Sequence, residues 1–545
     1  MLKKLLKHVL LCPRVSLSVI TVALYLPALF FGYTELDDSI FIREFASFNA
    51  RLSNVVTAFQ RGLFHATDDI YYRPLFSVSI ILNYQLSGTS ITGYRIVNIL
   101  LHLACVLMVY CLLKELHLKP STAFLLAMLF AIHPVLVQAV VWIPGRNDSL
   151  LAFFIYPFFI TAIRYINAGK MQWLILHTLS LAAALFTKET AVFAPPAAML
   201  ILLYYLKKKP TEKSMLLLYA TWSIAALVYL MVRMQASLNS KPLLASDLFF
   251  SMLQRLPVLL HYIGKVILPF NLSVFPMQKD TSSWYGIAAM VLLMAGIRFA
   301  VTKDFRAIVT GAVFFLLFLI PVLAVPPSLN DQIFEHRLYI PLFGMLLIFS
   351  QTILFQNRLQ DAKQAMLLLP LIVLLITLNL LHQQKFKSPL AFWTAAVASS
   401  PSSAYARMML GMRMDKINKA QADSLIMLSY QQDSTAKYIN YYMGKVREPY
   451  SREEAEKHYL RETEISGYVE AYFELARMAF EKNDLPAAAA YLEKYIAKAP
   501  QDEAAHRNLL LLYLDTGQPE KARLQMQKMQ KLGIRVPPEI TERLR

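Results

Sequence analysis

Charged residues are scarce in this chain of 545 residues: they make up 17%, whereas hydrophobic residues make up 57%. Soluble domains usually contain about 25% charged residues, and disordered chains need high charge with low hydrophobicity. Cysteine is also rare. Cys12, Cys105 and Cys111 all lie in apolar stretches, which excludes a disulfide-stabilised scaffold. The composition therefore predicts that most of the chain is an all-α polytopic membrane protein.

A recognisable cleavage site is missing after the first apolar run, which extends from about 15 to 32 and follows a basic segment. The run is as long as a membrane span, whereas a cleaved signal peptide ends at a small-residue site. We therefore expect an uncleaved first membrane helix with a cytoplasmic N-terminus.

Eleven further apolar windows follow, and the excess of 54 lysines and arginines over 36 acidic residues (+18) is first of all a topology signal. The window 248–269 carries Arg255, His261 and Lys265, which are costly at mid-bilayer. We predict that it lies in the interface or re-enters, that 75–88 is an interfacial helix, and that about eleven crossings place everything after 382 outside. The eleven windows are 92–113, 119–137, 148–166, 171–187, 190–206, 214–234, 248–269, 284–301, 306–325, 338–356 and 364–381.

The C-terminal part of the chain is more polar and repeats with a period of 34 residues. This period, with alanines where helices touch and a proline at the repeat end, is typical of tetratricopeptide repeats, which bind extended peptides or partner proteins in a concave groove. A plain helical bundle is the alternative. We expect two domains, a membrane domain over 1–382 and a repeat array over 383–545. The recurring pairs are Ala471 and Ala505, Leu475 and Leu509, Asn483 and Gly517, and Ala488 and Ala522.

The first outer loop, 33–91, carries two adjacent carboxylates, Asp37 and Asp38, just beyond the first membrane helix. Partial desolvation there raises a carboxyl pKa, which suits a general base for a hydroxyl. Adjacent side chains on an extended segment project to opposite sides, and the loop has no Asp-x-Asp pair. We therefore expect no metal and no cofactor, with a divalent ion as the less favoured alternative. The structural alternative for the pair is a solvated loop that caps a helix.

Further charged side chains interrupt apolar segments on the same predicted face. An arginine at the start of an interfacial helix can hold a lipid phosphate through two hydrogen bonds, and charges within apolar segments are usually paired or functional. Interface anchoring and polar helix contacts are the structural alternatives. The shared face indicates a site that handles an anionic lipid head group and moves a proton. The cations are Arg73, Arg146, Lys188 and Arg337, and the carboxylates are Glu189 and Glu335.

Taken in order, these segments resemble the multi-spanning glycosyltransferases of the C superfamily (GT-C), most closely the transmembrane and tetratricopeptide-repeat O-mannosyltransferases. The resemblance covers nearly the whole chain, and the ordered set of motifs is more specific than any one of them. The matching stretches are the Asp37-Asp38 loop, Tyr72-Arg73-Pro74-Leu75 with Asn83-Tyr84, Gly93-Tyr94-Arg95 with Asn98 and His102, His133-Pro134, Trp142-Ile143-Pro144-Gly145-Arg146, Lys188-Glu189-Thr190, Glu335-His336-Arg337-Leu338-Tyr339 and Trp393.

The resemblance implies inverting transfer of a mannose-like sugar from a polyprenyl phosphate to a protein hydroxyl on the non-cytoplasmic face. Asp37 or Asp38 would be the general base, with Asp38 slightly favoured because it lies further from the helix end. The four cations would stabilise the departing phosphate. The substrate-binding residues implied by the matching motifs are Arg73, His133, Arg146, Lys188, Glu189, Glu335, Arg337 and Tyr339.

The expected partners are a polyprenyl-phosphate sugar, an acceptor protein held by the repeats, and the lipid bilayer; no nucleic acid is expected. The composition and short loops favour a bacterial inner membrane, with the catalytic loop and the repeats in the periplasm. Two alternatives stay open. One is a GT-C transferase that modifies a glycolipid or cell-envelope glycan, and the other is a non-enzymatic membrane scaffold whose repeats do the work.

Overall fold

A computed structural model describes residues 12–65, 71–209, 211–236, 245–325, 331–355 and 362–536. In these ranges the chain is helical and has no strand; Met277 and Gln332 form an isolated bridge. The all-α prediction is confirmed. The basic N-terminal segment lies outside the described residues, as do part of the first outer loop 33–91, the segments 237–244 and 326–330, and the end of the window 338–356. The chain divides into two compact units, Met1–Ser400 and Pro401–Arg545.

The first unit is a bundle of apolar helices with short single-turn helices between them. Its α-helices are α1 Pro13–Tyr25, α2 Ala46–Asn49, α3 Asn54–Thr57, α4 Pro74–Ser87, α5 Ile91–Glu115, α6 Pro120–Ile132, α7 Val137–Val141, α8 Arg146–Ala168, α9 Met171–Thr187, α10 Ala194–Met199, α11 Lys213–Met234, α12 Ala245–Gln254, α13 Leu256–Ile267, α14 Ser283–Arg298, α15 Phe305–Ala324, α16 Pro341–Phe349, α17 Ala362–Gln384 and α18 Pro389–Ser399. Glu189–Phe193 and Glu335–Leu338 are 3₁₀ turns.

Five helical segments in the described ranges are long and apolar enough to cross a bilayer, and two bent pairs raise the total to seven. A span needs about 20 residues at 1.5 Å each. The chain is therefore an integral membrane protein, and the eleven crossings stay a prediction. The five segments are Pro13–Phe30, Ile91–Glu115, Ile143–Ala168, Lys213–Met234 and Phe305–Ala324, and the bent pairs are Pro120–Ile132 with Pro134–Val141 and Leu368–Gln384 with Pro389–Ser399.

The window 248–269 forms two helices rather than one. The break falls at Arg255, whose side chain is buried, and it leaves α12 with 10 residues and α13 with 12. Each helix is shorter than the hydrocarbon thickness of a membrane. The predicted interfacial or re-entrant placement fits these lengths and stays a prediction.

The sequence-based domain boundary at 382–383 precedes α18, and the division between the two compact units follows α18. Trp393 of α18 is fully buried and packs 5.7 Å from the ring of Phe275, inside the first unit. The Ser399 and Ser273 hydroxyls share a hydrogen bond at 2.6 Å, and the Ser400 hydroxyl donates to the carbonyl of Phe275 at 2.7 Å.

The second unit consists of helices that pack in succession. They are α19 Ala404–Met414, α20 Lys419–Gln432, α21 Ile439–Arg447, α22 Arg452–Ile465, α23 Val469–Glu481, α24 Leu485–Lys498, α25 Glu503–Asp515 and α26 Pro519–Lys531. The starts of α23 and α25 are 34 residues apart, as are those of α24 and α26.

The residues that recur with this period have the same structural role in both copies. The paired alanines and leucines are all buried between helices. Asn483 and Gly517 both adopt positive φ, +62° and +66°, in the turns that end α23 and α25. Glycine and asparagine tolerate this backbone conformation better than other residues do. These features fit the repeat interpretation, which stays a prediction.

Candidate active site

A cavity in the first unit has about 1030 Å³ of empty space, part of it open to solvent. Four chain segments supply its walls: the first outer loop, the turn before α8, the break after α9, and the end of α15 with the turn before α16. Charged and aromatic side chains face each other across it. They include Asp37, Arg73, Trp142, Asp148, Lys188, Glu189, Phe334, His336 and Arg337.

Asp37 lines the cavity from an unusual backbone position. Its φ is +61°, and the N–H of Asp38 donates to the carbonyl of Leu36 at 2.8 Å, which closes a three-residue turn around Asp37. The γ-turn with positive φ is rare and strained for a non-glycine residue. Burial, with Asp38 and Glu44 nearby, raises the pKa of the Asp37 carboxyl to about 7. Asp37 can therefore accept a proton near neutral pH.

Asp38 has a different environment. Its carboxylate is 1% exposed and accepts hydrogen bonds from the backbone of Thr34, Glu35 and Ser39 and from the Thr34 hydroxyl, at 2.7 to 3.0 Å. Burial raises the pKa of Asp38 to about 6, although the bonds from Thr34 lower it. Asp38 does not line the cavity. It is the centre around which the loop folds, and it is neither solvated nor a helix cap, as the structural alternative had it.

Two ion pairs also line the cavity. Arg73, at the start of α4, makes two hydrogen bonds to Glu189, at 3.0 and 2.5 Å. Lys188 donates to both carboxylate oxygens of Asp148, at 2.8 Å each. Lys188 meets Asp148 because α8 and α9 pack side by side, which brings the break after α9 against the start of α8. The bond from Arg73 to Glu189 joins α4 to the same break. Side chains with partners of this kind rarely occur in apolar surroundings without a function.

The third wall comes from the turn before α16. Arg337 donates to the carbonyl of Gln332 at 3.0 Å and lies 5.7 Å from the ring of Phe334. The rings of Phe334, Trp142 and His336 contact one another. Phe334 stacks on Trp142 at 5.9 Å and on His336 at 5.3 Å, and Trp142 lies 5.5 Å from His336. Burial and the neighbouring cations hold the pKa of His336 well below its ordinary value, so the ring is neutral.

The structure brings five of the predicted residues to this cavity: Asp37, Arg73, Lys188, Glu189 and Arg337. Arg146 and His133 lie elsewhere. Arg146 is fully buried and donates to the side chains of Asn98 and Asn83 and to the carbonyl of Tyr94, at 2.7 to 2.8 Å. The His133 ring contacts the carbonyl of Val266 at 2.9 Å. Both side chains hold helices together.

Glu335 and Tyr339 also lie outside the cavity lining. Glu335 is fully buried, 2.6 Å from Lys265 and 3.3 Å from His382. The Tyr339 hydroxyl lies 2.7 Å from the His102 ring. These contacts anchor the two ends of the turn that carries His336 and Arg337. His102 thereby makes a polar contact from α5 to this turn and, through the Ala131 carbonyl at 3.2 Å, to α6.

Sequence reasoning did not include Asp148 or His336 in the expected site. Asp148 was visible as an acid in the first turn of an apolar helix, where a paired charge is the rule. His336 adjoined two predicted residues, but nothing in its sequence context showed which way its ring would point. In the described ranges no group of three or more His, Cys, Asp or Glu side chains could hold a metal ion. Metal independence stays a prediction.

Comparisons with known proteins identify a matching family and several relatives. The family described as "Dolichyl-phosphate-mannose-protein mannosyltransferase" matches residues 73–234. The protein O-mannosyl-transferase F38B6.6 of Caenorhabditis elegans is 26% identical over 358 residues, which are 62% of this chain and 50% of that protein. Human TMTC4 is 33% identical over 142 residues (22% of this chain, 19% of that protein), and Drosophila melanogaster Tmtc1 is 34% identical over 125 residues (23% and 14%).

The matched segments thus span half of the worm relative and a fifth or less of the other two. All three relatives are described as protein O-mannosyl-transferases, and the family match includes Arg73, Asp148, Lys188 and Glu189. The resemblance to GT-C glycosyltransferases is confirmed.

Proposed function

From its relationship to the protein O-mannosyltransferases of the GT-C type, we propose that this chain transfers a mannose-like sugar from a polyprenyl phosphate to a protein hydroxyl on the non-cytoplasmic face. The observation that carries the proposal is that one cavity is lined both by Asp37, a carboxylate with a raised pKa, and by the cations Arg73, Lys188 and Arg337. An acid–base group and phosphate-binding cations are the two components that this transfer requires.

The charge balance of the cavity supports a singly charged donor. Arg73 with Glu189, and Lys188 with Asp148, are two neutral pairs. Arg337 forms no ion pair in the part of the chain that the structure describes, so the cavity has one net positive charge when Asp37 is protonated and none when Asp37 is ionised. A polyprenyl-phosphate sugar is a phosphodiester with one negative charge. A nucleotide sugar or a pyrophosphate would bring at least two negative charges to the same wall and would favour an added metal ion.

We propose a single displacement at the anomeric carbon. The acceptor hydroxyl attacks this carbon and gives its proton to Asp37, while the bond from the carbon to the phosphate oxygen breaks. The polyprenyl phosphate leaves with that electron pair, and Arg337 with the paired cations stabilises its developing charge. One displacement inverts the anomeric configuration, through an oxocarbenium-like transition state.

Asp37 rather than Asp38 is the base in this proposal. Four donors already occupy the Asp38 oxygens, and a proton acceptor needs a free lone pair directed at the substrate. Asp37 lines the cavity, and its pKa of about 7 leaves it partly ionised at neutral pH, which is the range where a general base is most effective.

We propose that the second unit holds the acceptor protein. Between α23 and α25 lies a groove with about 780 Å³ of empty space, in which Phe480 and Leu511 are 57% and 42% exposed. Asn508 also lines the groove and offers an amide that can bond to a peptide backbone. An extended peptide supplies both apolar side chains and backbone groups, so it matches this lining.

The test is transfer by the purified full chain from a panel of polyprenyl-phosphate sugars to protein acceptors, with and without a chelator. We expect a mannose-type donor to be used without added metal, and Asp37→Asn to lower kcat by about 10²–10⁴-fold. Asp247→Asn, an exposed acid on α12, is the matched control. Transfer to glycolipids alone would favour the alternative acceptor. Full activity of Asp37→Asn would refute the assignment of Asp37 as the general base. If a chelator abolished transfer and magnesium restored it, the first outer loop would instead be a metal site.

A further inference from the structure

Trp142 reaches from the turn before α8 to the loop that carries Asp37. Its indole N–H donates to the carbonyl oxygen of Leu36 at 2.8 Å, although the two residues are 106 positions apart in sequence. The tryptophan is 4% exposed and Leu36 is 8% exposed. A buried N–H that loses its acceptor costs stability, so this contact is a strong restraint between the two segments.

The acceptor of this bond is the carbonyl that closes the strained turn. Leu36 receives hydrogen bonds from the Asp38 N–H and from the Trp142 indole, both at 2.8 Å, so both lone pairs of its oxygen are used. The peptide plane between Leu36 and Asp37 is thereby fixed. The direction of the Asp37 side chain follows from that plane and from its φ of +61°.

The turn has a lower-energy alternative. A non-glycine residue at positive φ is disfavoured unless its surroundings hold it there. Rotation of the peptide between Leu36 and Asp37 would relieve this conformation and would move the carboxylate. The Asp38 bond is local and can move with the turn, whereas the indole belongs to another element and cannot follow it.

The backbone that carries Trp142 is held by close contacts with its neighbours. Its carbonyl accepts a hydrogen bond from the Gly145 N–H at 3.0 Å. Gly145 itself lies so close to α7 that an added Cβ would be 2.4 Å from the carbonyl oxygen of Gln138. The same indole packs against Phe334, next to the cationic Arg337. One side chain therefore contacts both the segment of the base and the segment of a phosphate-binding cation.

We infer that Trp142 is a positioning residue: its indole N–H holds the Leu36 carbonyl and thereby keeps the Asp37 carboxylate directed into the cavity. The inference rests on the proposed role of Asp37 as the general base. It assigns the indole N–H a function beyond packing, and this function is separable from that of the ring, because phenylalanine retains an aromatic ring and lacks the donor.

The test compares Trp142→Phe and Trp142→3-benzothienylalanine, which keeps the size of the indole and replaces its N–H with sulfur. The matched control is Trp284→Phe, because Trp284 is 77% exposed and does not line the cavity. We expect both Trp142 variants to lower kcat by about 10- to 100-fold, as a displaced catalytic group does, with less than about a twofold change in donor KM. Trp284→Phe should match the unmodified chain.

The pH profile separates positioning from general damage. The groups near Asp37 are Asp38 and Glu44 on its own segment and, across the cavity, Arg73, Lys188, Asp148, Glu189, His336 and Arg337. If the carboxylate leaves its buried position, its pKa falls and the acidic limb of kcat moves to lower pH in both Trp142 variants. If Trp142 had only a structural role, its substitution would lower the protein yield or the Tm and would leave the acidic limb of the kcat profile at its original pH.

Two results would overturn the inference. One is an unchanged kcat and an unchanged acidic limb in the benzothienyl variant. The other is a raised donor KM with an unmoved limb, which would mean that Trp142 acts through the segment of Arg337. Asp37→Asn, measured beside them, tests the proposed function separately. If that variant is fully active, the base assignment fails and the inference falls with it, whereas an inactive Asp37→Asn with normal Trp142 variants refutes the inference alone.

Discussion

Two adjacent aspartates in the first outer loop have different environments, and this difference defines the chemistry proposed at the level of single residues. Asp38 is surrounded by backbone donors and organises the loop, and Asp37 projects from the strained turn into the cavity. A carboxylate that is fully hydrogen-bonded contributes to folding, and one that is buried with few donors is available for proton transfer. The two side chains should therefore respond differently to the same substitution.

Activity should fall as the pH is lowered through about 7. Burial raises the pKa of Asp37 to about 7, and a general base must be deprotonated, so the ionised fraction rises with pH across this value. Since the folded-state pKa lies above that of an unfolded chain, ionisation of Asp37 opposes folding at high pH. Asp37→Asn should therefore raise the Tm at pH 8. The measurements are kcat against pH and thermal unfolding at pH 8; a flat kcat profile between pH 6 and 8 would contradict the assignment.

Asp38→Asn should act mainly on stability. The amide offers one acceptor oxygen where the carboxylate offers two, so part of the donor set of Thr34, Glu35 and Ser39 loses its partner. The cost should be about 1–3 kcal/mol in the free energy of unfolding, with a lower Tm. Thermal unfolding in detergent, with Asp247→Asn as the control, measures it. A Tm equal to that of the control, together with lost activity, would instead make Asp38 the catalytic group.

At the level of elements, the site depends on breaks between helices. Lys188 and Glu189 lie where α9 ends, and Asp148 lies in the first turn of α8, so the packing of these two helices brings the charges together. Glu335 fixes the turn before α16 through Lys265 and His382. Backbone that leaves the helical conformation at such breaks can direct side chains into a cavity, which a continuous helix could do only along one face.

Lys188→Met should destabilise the first unit, and the double variant Lys188→Met with Asp148→Asn should recover much of that loss. The single change leaves a buried carboxylate without its cation, which costs about 3–5 kcal/mol, whereas the double change removes both charges. Neither variant should regain normal transfer, because the phosphate-binding wall is altered in both. A thermal double-mutant cycle measures the coupling. Equal Tm losses in the single and double variants would show that the pair contributes nothing to folding.

At the level of the whole molecule, the chain divides into two compact units, and we propose that each performs one half of the reaction. The cavity that contains Asp37 lies within Met1–Ser400, and the groove between α23 and α25 lies within Pro401–Arg545. A bound acceptor on the same chain would have a high effective concentration near the donor. Donor binding and acceptor transfer should therefore be separable.

Deletion of residues 401–545 should leave binding of the polyprenyl-phosphate sugar intact and slow transfer to a protein acceptor by at least about tenfold. In the full chain, Phe480→Ala with Leu511→Ala should weaken acceptor binding in the same direction, because both side chains are exposed in the groove. Leu524→Ala is the control, since Leu524 is 68% exposed and does not line the groove. Binding and transfer assays measure the two steps. Full protein transfer without the second unit would favour the glycolipid alternative.

The sequence by itself determined the features that depend on local composition and period. Apolar windows predicted helices, and each window in the described chain contains one, because burial of apolar surface in lipid requires backbone hydrogen bonds within the segment. The period of 34 residues predicted turns that recur at Asn483 and Gly517. The charged residues that interrupt apolar runs were visible as candidates for the same reason: a charge in lipid is too costly to retain without a partner or a function.

Only the tertiary structure decided which candidates share a site. Arg146 and Lys188 both interrupt apolar sequence. In the fold, Arg146 donates hydrogen bonds to two asparagine side chains and a carbonyl, whereas Lys188 donates to the Asp148 carboxylate at the cavity. The choice between Asp37 and Asp38 depended on a γ-turn whose carbonyl is held by Trp142, 106 residues away. Partners so distant in sequence are set by the packing of whole helices, and no local period encodes which of them will meet.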